Sequence, residues 1–256
     1  MFSFVLKNLD GLWWLLIFLG PFLILQRRLH MEIQSVLILL THRNDISLAI
    51  FSLLFFPGVL LHELSHFLLA RLMGVRTGGF SLIPRPLEDG RLQLGYVETA
   101  KTDFVRDALI GAAPLLAGGL FVAWVGIVHL GLLGIWDSLN STDEQALRLA
   151  VQDLLVRSDF WLWFYLIVAV SSTMMPSRSD RRAWLPVVLI VAFLLGLGIF
   201  AGAGPWLLDN ITAPLNNALR TVAIVFAISM GVHLVLVMPF IFLRRVLERL
   251  TGYEIA

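Results

Sequence analysis

The chain has 256 residues, of which 58% are hydrophobic and only 14% charged, and its mean hydropathy is +0.85. An ordinary soluble domain carries about a quarter charged residues, so this composition points to a membrane protein whose charges sit in short clusters between long apolar runs. A formal net charge of +1 and the lack of any long Lys/Arg run speak against a nucleic-acid partner, and the absence of cysteine excludes disulfides and thiolate metal ligands.

Residues Met1 to Asp10 carry no basic region ahead of the first apolar stretch and no Ala-x-Ala pattern follows, so the segment is expected to be retained. A helix needs about 20 mostly apolar residues to cross the hydrocarbon core. Windows of that kind run approximately over Leu12 to Leu25, Ile46 to Leu72, Leu109 to Trp136, Phe160 to Met175, Trp184 to Leu208 and Val222 to Leu243. Between the first two, Gln26 to Asp45 sets Arg27, Arg28, His30, Glu32, His42 and Arg43 around the apolar Ile33 to Leu40, which reads as an interfacial amphipathic segment. Val75 to Asp107 is rich in Gly and Pro and alternates through Leu92-Gln93-Leu94-Gly95-Tyr96-Val97, the pattern of strands or a hairpin. That segment is either an exposed edge able to pair with a substrate strand or an ordinary connection. The expected fold class is therefore an all-α membrane protein, a bundle of about six transmembrane helices with a small extended segment between the second and third. The chain divides into an accessory helix and interfacial segment over 1–45, a core over 46–182 and further membrane helices over 183–256.

Loop charges indicate an orientation. The loop from Trp136 to Asp159 is predominantly acidic, whereas Arg178, Arg181 and Arg182 follow the fourth window and Arg244, Arg245 and Arg249 follow the sixth. The positive-inside rule then places the fourth-window exit and the C-terminus in the cytoplasm. The arginines of Gln26 to Asp45 run against that assignment.

The second window contains His62-Glu63-Leu64-Ser65-His66. On a helix, residues four apart share a face, so His62 and His66 can direct two imidazoles at one metal ion while Glu63 projects beside it, placed to take a proton from a water on the metal. Zinc suits two neutral imidazoles, one carboxylate and an open fourth position. The alternative is an inert polar cluster facing a cavity. Inside an apolar span an unpaired acidic residue costs about 2.5–3.5 kcal/mol on insertion scales, and a metal with its water supplies the partners that such a cluster requires.

The stretch from Pro57 to Val75, PGVLLHELSHFLLARLMGV, resembles the first core helix of the site-2 protease family of intramembrane zinc metalloproteases. Gly111-Ala112-Ala113-Pro114 is similar to the Gly-Pro element of that family's second core helix, with Ala117 where an Asn is common. Thr173-Met174-Met175-Pro176-Ser177-Arg178-Ser179-Asp180 resembles the third motif, Asn-x-x-Pro-x-x-x-Leu-Asp-Gly; Thr173 replaces the Asn, Asp180 comes one residue early, and the Leu and Gly are absent. The resemblance implies zinc held by His62, His66 and Asp180, Glu63 as general base and then acid, and hydrolysis of peptide bonds in membrane-anchored protein substrates within the cell membrane. It also implies an active site toward the cytoplasmic face. Other readings stay open. Asp180 is alternatively a solvated charge paired with Arg178, Arg181 or Arg182, and Glu88 and Asp89 are the next acidic candidates. His129 and His233 read as interhelical hydrogen-bonding residues or as a second shell around the metal. The rival functions are a metal-binding protein or transporter and a catalytically silent scaffold.

Overall fold

A computed structural model describes residues 9–82, 85–86, 92–140 and 144–253. Helix α1 spans Asp10–Thr41 and α2 spans Asn44–Leu72. Four short strands follow, β1 Thr77–Ser81, β2 Arg85–Pro86, β3 Leu92–Gln93 and β4 Tyr96–Thr99. Helix α3, Phe104–Trp124, continues as a π-helical turn over Val125–His129; α4 is Leu132–Asn140, α5 Glu144–Val156, α6 Phe160–Thr173 and α7 Trp184–Gly198. A second π turn, Ile199–Ala203, leads into α8, Gly204–Thr251.

The expected extended segment is present: β1 pairs antiparallel with β4, with Phe80 opposite Val97, and β2 pairs antiparallel with β3. The expected count of about six spans is not. Among the described residues four helical runs are long and apolar enough to cross a membrane, Asp10–Thr41, Asn44–Leu72, Phe104–His129 and Trp184–Thr251, and a fifth is added if α5 and α6, bent by 88°, count as one. Two local features reduce the number. First, α6 has only 14 residues, about 21 Å at the helical rise. Second, the windows at 184–208 and 222–243 belong to one helical run, kinked at Gly202 (φ 89°), a conformation that suits glycine. Separately, Gln26 to Thr41 is not an interfacial segment but the second half of α1. Its buried carboxylate, Glu32, receives Arg28 one turn earlier at 2.7 Å and Arg244 of α8 at 2.7 Å, so that charge is satisfied along the bundle.

Helices α1 and α8 run parallel. Gly11 N–H donates to Asn216 Oδ1 at 2.8 Å, Phe22 meets Phe226, Glu32 meets Arg244 and His42 meets Tyr253, in ascending order along both helices. Helices α2 and α6 also run parallel, from the Tyr165 hydroxyl on Leu54 O through Gly58 against Ala169 to His62 beside Thr173. Helix α3 is antiparallel to α6, with Gly118 against Met174 near one end and His129 stacked on Trp163 at the other. This arrangement corrects the expected sidedness: the C-terminal end of α8 lies at the start of α2, whereas Arg178, Arg181 and Arg182 lie at the opposite end. The two arginine clusters therefore do not share an end.

Candidate metal centre

His62 and His66 stand on successive turns of α2, about 27 Å along the helix from Asn44. The ring of His62 places Nδ1 at 2.7 Å from Thr173 O, the last residue of α6, and that of His66 places Nδ1 at 2.8 Å from Ile110 O of α3. A carbonyl only accepts, so both Nδ1 atoms carry the proton and both Nε2 atoms present lone pairs. These two Nε2 atoms lie 3.3 Å apart. The Asp180 carboxylate completes the group, Oδ1 at 3.4 Å from His66 Nε2 and Oδ2 at 3.9 Å from His62 Nε2.

The donor atoms of His62, His66 and Asp180 all fall within 4.8 Å of one another. Ser177, whose N–H donates to Asp180 Oδ2 at 2.7 Å, favours the carboxylate anion. Two imidazole lone pairs and a carboxylate converging on one point repel unless a cation sits among them. The group can hold a metal ion, and the carbonyls behind each imidazole are the outer-shell acceptors that fix ring orientation at such sites.

Glu63 is buried beside this group. A Cβ added at Gly95, just ahead of β4, would come 2.9 Å from Glu63 Cγ and 3.1 Å from both Ser81 O and Val59 Cγ1, so the absence of a side chain lets the sheet close over the carboxylate. The result is a cavity of about 670 Å³ whose wall includes His62, Glu63, His66, Asp180, Leu94 to Val97 and Ser172. Space of that size accommodates an extended peptide segment's side chains.

The remaining sequence candidates separate clearly. His233 is fully buried, with Nδ1 on Ser229 O at 2.7 Å and Nε2 facing the Ser172 hydroxyl at 2.9 Å, so it ties α8 to α6 and both its nitrogens are satisfied. His129 lies at the far end of α3, 3.8 Å from Asp159 and stacked on Trp163. Glu88 and Asp89 lie outside the described residues. Arg182, offered by sequence as an alternative partner for Asp180, instead makes a bidentate pair with Asp107, both contacts at 2.8 Å. Sequence reasoning missed three contributors: the carbonyls of Thr173 and Ile110, which no side-chain pattern reveals, and His30 of α1, which lines the cavity although its Nε2 is buried without a partner.

Fold and site together define a predominantly helical protein with membrane-length apolar helices and a His/His/Asp group able to hold a metal ion. No protein-family model, no curated protein and no solved structure matches the chain.

Proposed function

We propose that the chain is an intramembrane zinc metalloprotease of the site-2 protease kind, hydrolysing peptide bonds of membrane-anchored proteins in the cell membrane, with its site toward the cytoplasmic side. One observation carries the reading: two imidazole nitrogens and a carboxylate converge beside a buried glutamate on an apolar helix. Ligands held roughly 2.0–2.1 Å from zinc at tetrahedral angles lie about 3.3–3.4 Å apart. The His62–His66 Nε2 separation of 3.3 Å and the His66 Nε2–Asp180 Oδ1 separation of 3.4 Å fit that spacing, while the nearest carboxylate oxygen to His62 Nε2 is the other one, Oδ2, at 3.9 Å.

In this reading His62, His66 and Asp180 hold the ion, and zinc when bound would bring the pKa of a water to roughly 7 and polarise the scissile carbonyl. Glu63 takes the proton of the attacking water and returns it to the leaving amine, a role that a metal carrier would not need. Leu94 to Val97 line the cavity, so an unwound substrate segment lies alongside β4, where backbone pairing would hold it extended.

The deciding experiment compares wild type with Glu63→Gln in liposomes, measuring bound zinc and cleavage of a panel of single-span peptides. Cleavage by wild type alone, with zinc in both proteins, is the expected result. Zinc in both and cleavage in neither would favour a non-catalytic metal-binding or scaffold protein of the same fold, and the absence of zinc from both would remove the metal assignment.

A further inference from the structure

Asp180 reaches the imidazoles of α2 from residues 174–183, a segment that belongs to no helix or strand. Within that segment the Ser177 N–H braces the carboxylate locally. Met174, at the start of the segment, rests on Gly118, and the longer-range anchors around Asp180 fall on the first turns of α3. A Cβ on Gly111 would stand 1.9 Å from the carbonyl oxygen of Asp180, so the segment rests directly on the helix backbone there. Arg182 donates from Nε to Asp107 Oδ2 and from Nη2 to Asp107 Oδ1, each at 2.8 Å. Trp184 Nε1 donates to Ala108 O at 3.2 Å. The same two turns supply Ile110 O to His66. Residues 107, 108, 110 and 111 thus hold a histidine of α2 and the Asp180 segment against one short piece of helix.

That piece is itself well founded. Asp103 caps α3, its Oδ1 accepting from the N–H groups of Val105 and Arg106 at 3.1 and 3.0 Å. Asp107 sits in the first turn, where the helix dipole favours a carboxylate. Of the two partners, Arg182 is 59% exposed and Asp107 21%, so the pair stands at the cavity mouth, which both residues line. Arg182 is two residues from Asp180 and can act on it in two ways, as a nearby charge and through the backbone that the fork anchors.

We propose that the Arg182–Asp107 fork is a positioning device that sets the reach of Asp180 toward the metal. The proposal rests on the reading of His62, His66 and Asp180 as metal ligands. Charge alone predicts the opposite sign: a guanidinium near the site repels a dication, so its removal would tighten metal binding if electrostatics governed. A tether predicts weaker binding, because Asp180 would then have to be ordered at the moment of coordination.

The test measures zinc affinity of the full chain in detergent by competition with a chromophoric chelator. Arg182→Gln is expected to weaken zinc about five- to tenfold, the range for a bidentate but partly exposed pair acting behind a ligand. Asp107→Asn should weaken it equally, and the double variant no more than either single one. Arg182→Lys, which keeps the charge but loses the fork, should fall in between, whereas Arg178→Gln, which removes a charge from the same segment, should not weaken binding. Helical circular dichroism of the metal-free proteins separates these effects from unfolding. Tighter or unchanged binding in Arg182→Gln, or additive losses in the double variant, would overturn the tether. A wild-type chain that binds no zinc would instead overturn the metal assignment on which it rests.

Discussion

The pair α1/α8 and the trio α2/α3/α6 differ in the balance of their ties. Along α1 and α8 most are long side chains: Arg220 reaches Asp10, Arg244 reaches the buried Glu32 and Phe22 meets Phe226, with one close backbone approach where a Cβ on Gly11 would come 2.6 Å from Asn216 O. Within the trio and the segment that follows α6, such close approaches at glycine recur. Added Cβ atoms would come within 2.2 Å of Ala169 O at Gly58, 1.9 Å of Asp180 O at Gly111 and 2.5 Å of Met174 Cβ at Gly118. Flexible side chains tolerate small displacements, whereas backbone contact does not, and packing of small residues is the usual route to close approach of membrane helices. The metal ligands sit on the rigid trio and the segment leading from it, while α1 and α8 brace it from outside. Geometry at the site should therefore depend on glycines, and stability on ion pairs and aromatic contacts.

The comparison can be broken at several points. The largest effect is expected from Asp180→Ala, which removes a ligand and should lower zinc affinity on the order of a hundredfold or more, beyond the usual 10- to 100-fold of outer-shell changes. Equilibrium dialysis checks this, and a smaller loss would mean that another oxygen holds the third position. Next comes Gly111→Ala. Helix propensity alone predicts stabilisation by about 1 kcal/mol, but the clash with the Asp180 carbonyl should displace the segment and weaken zinc about tenfold. Retained affinity would show that the contact at Gly111 does not set the site.

Arg244→Ala probes the other region. Glu32 would keep Arg28 but lose its interhelical partner, and the chain should lose about 2 kcal/mol in detergent unfolding, below the 3–5 kcal/mol of a buried charge left wholly unpaired. Zinc affinity should stay within about twofold; a large drop would mean that the brace and the site are not separable. The smallest effect belongs to Gly196→Ala on α7, where an added Cβ meets nothing within 4 Å. A gain of at most about 1 kcal/mol in stability with unaltered metal binding is expected, so it serves as the control for Gly111→Ala.

Several features were legible along the chain because they are local. The extended segment announced itself through glycine, proline and alternation, and β1 and β4 lie within it. The span count was not legible. Apolar windows bounded by charge cannot show that α8 runs on unbroken from the end of one window into the next, nor that the chain kinks at Gly202 inside the first of them. Gln26 to Thr41 looked interfacial because its charges lack partners in the linear sequence; the partner for Glu32 lies 212 residues away on α8.

The pentad shows the same division at the scale of a single site. Sequence by itself determined that His62 and His66 share a helical face, with Glu63 next to them in an apolar setting, because a fixed rise and twist convert spacing into geometry. Only the tertiary structure decided which way the imidazoles point, since Thr173 O and Ile110 O come from two other helices. It also decided that Asp180 arrives between them, because that depends on the backbone of residues 174–183 resting on Gly111 and on a side-chain fork to Asp107. Contacts of this kind join positions tens of residues apart, and their geometry is set by packing rather than by any local repeat.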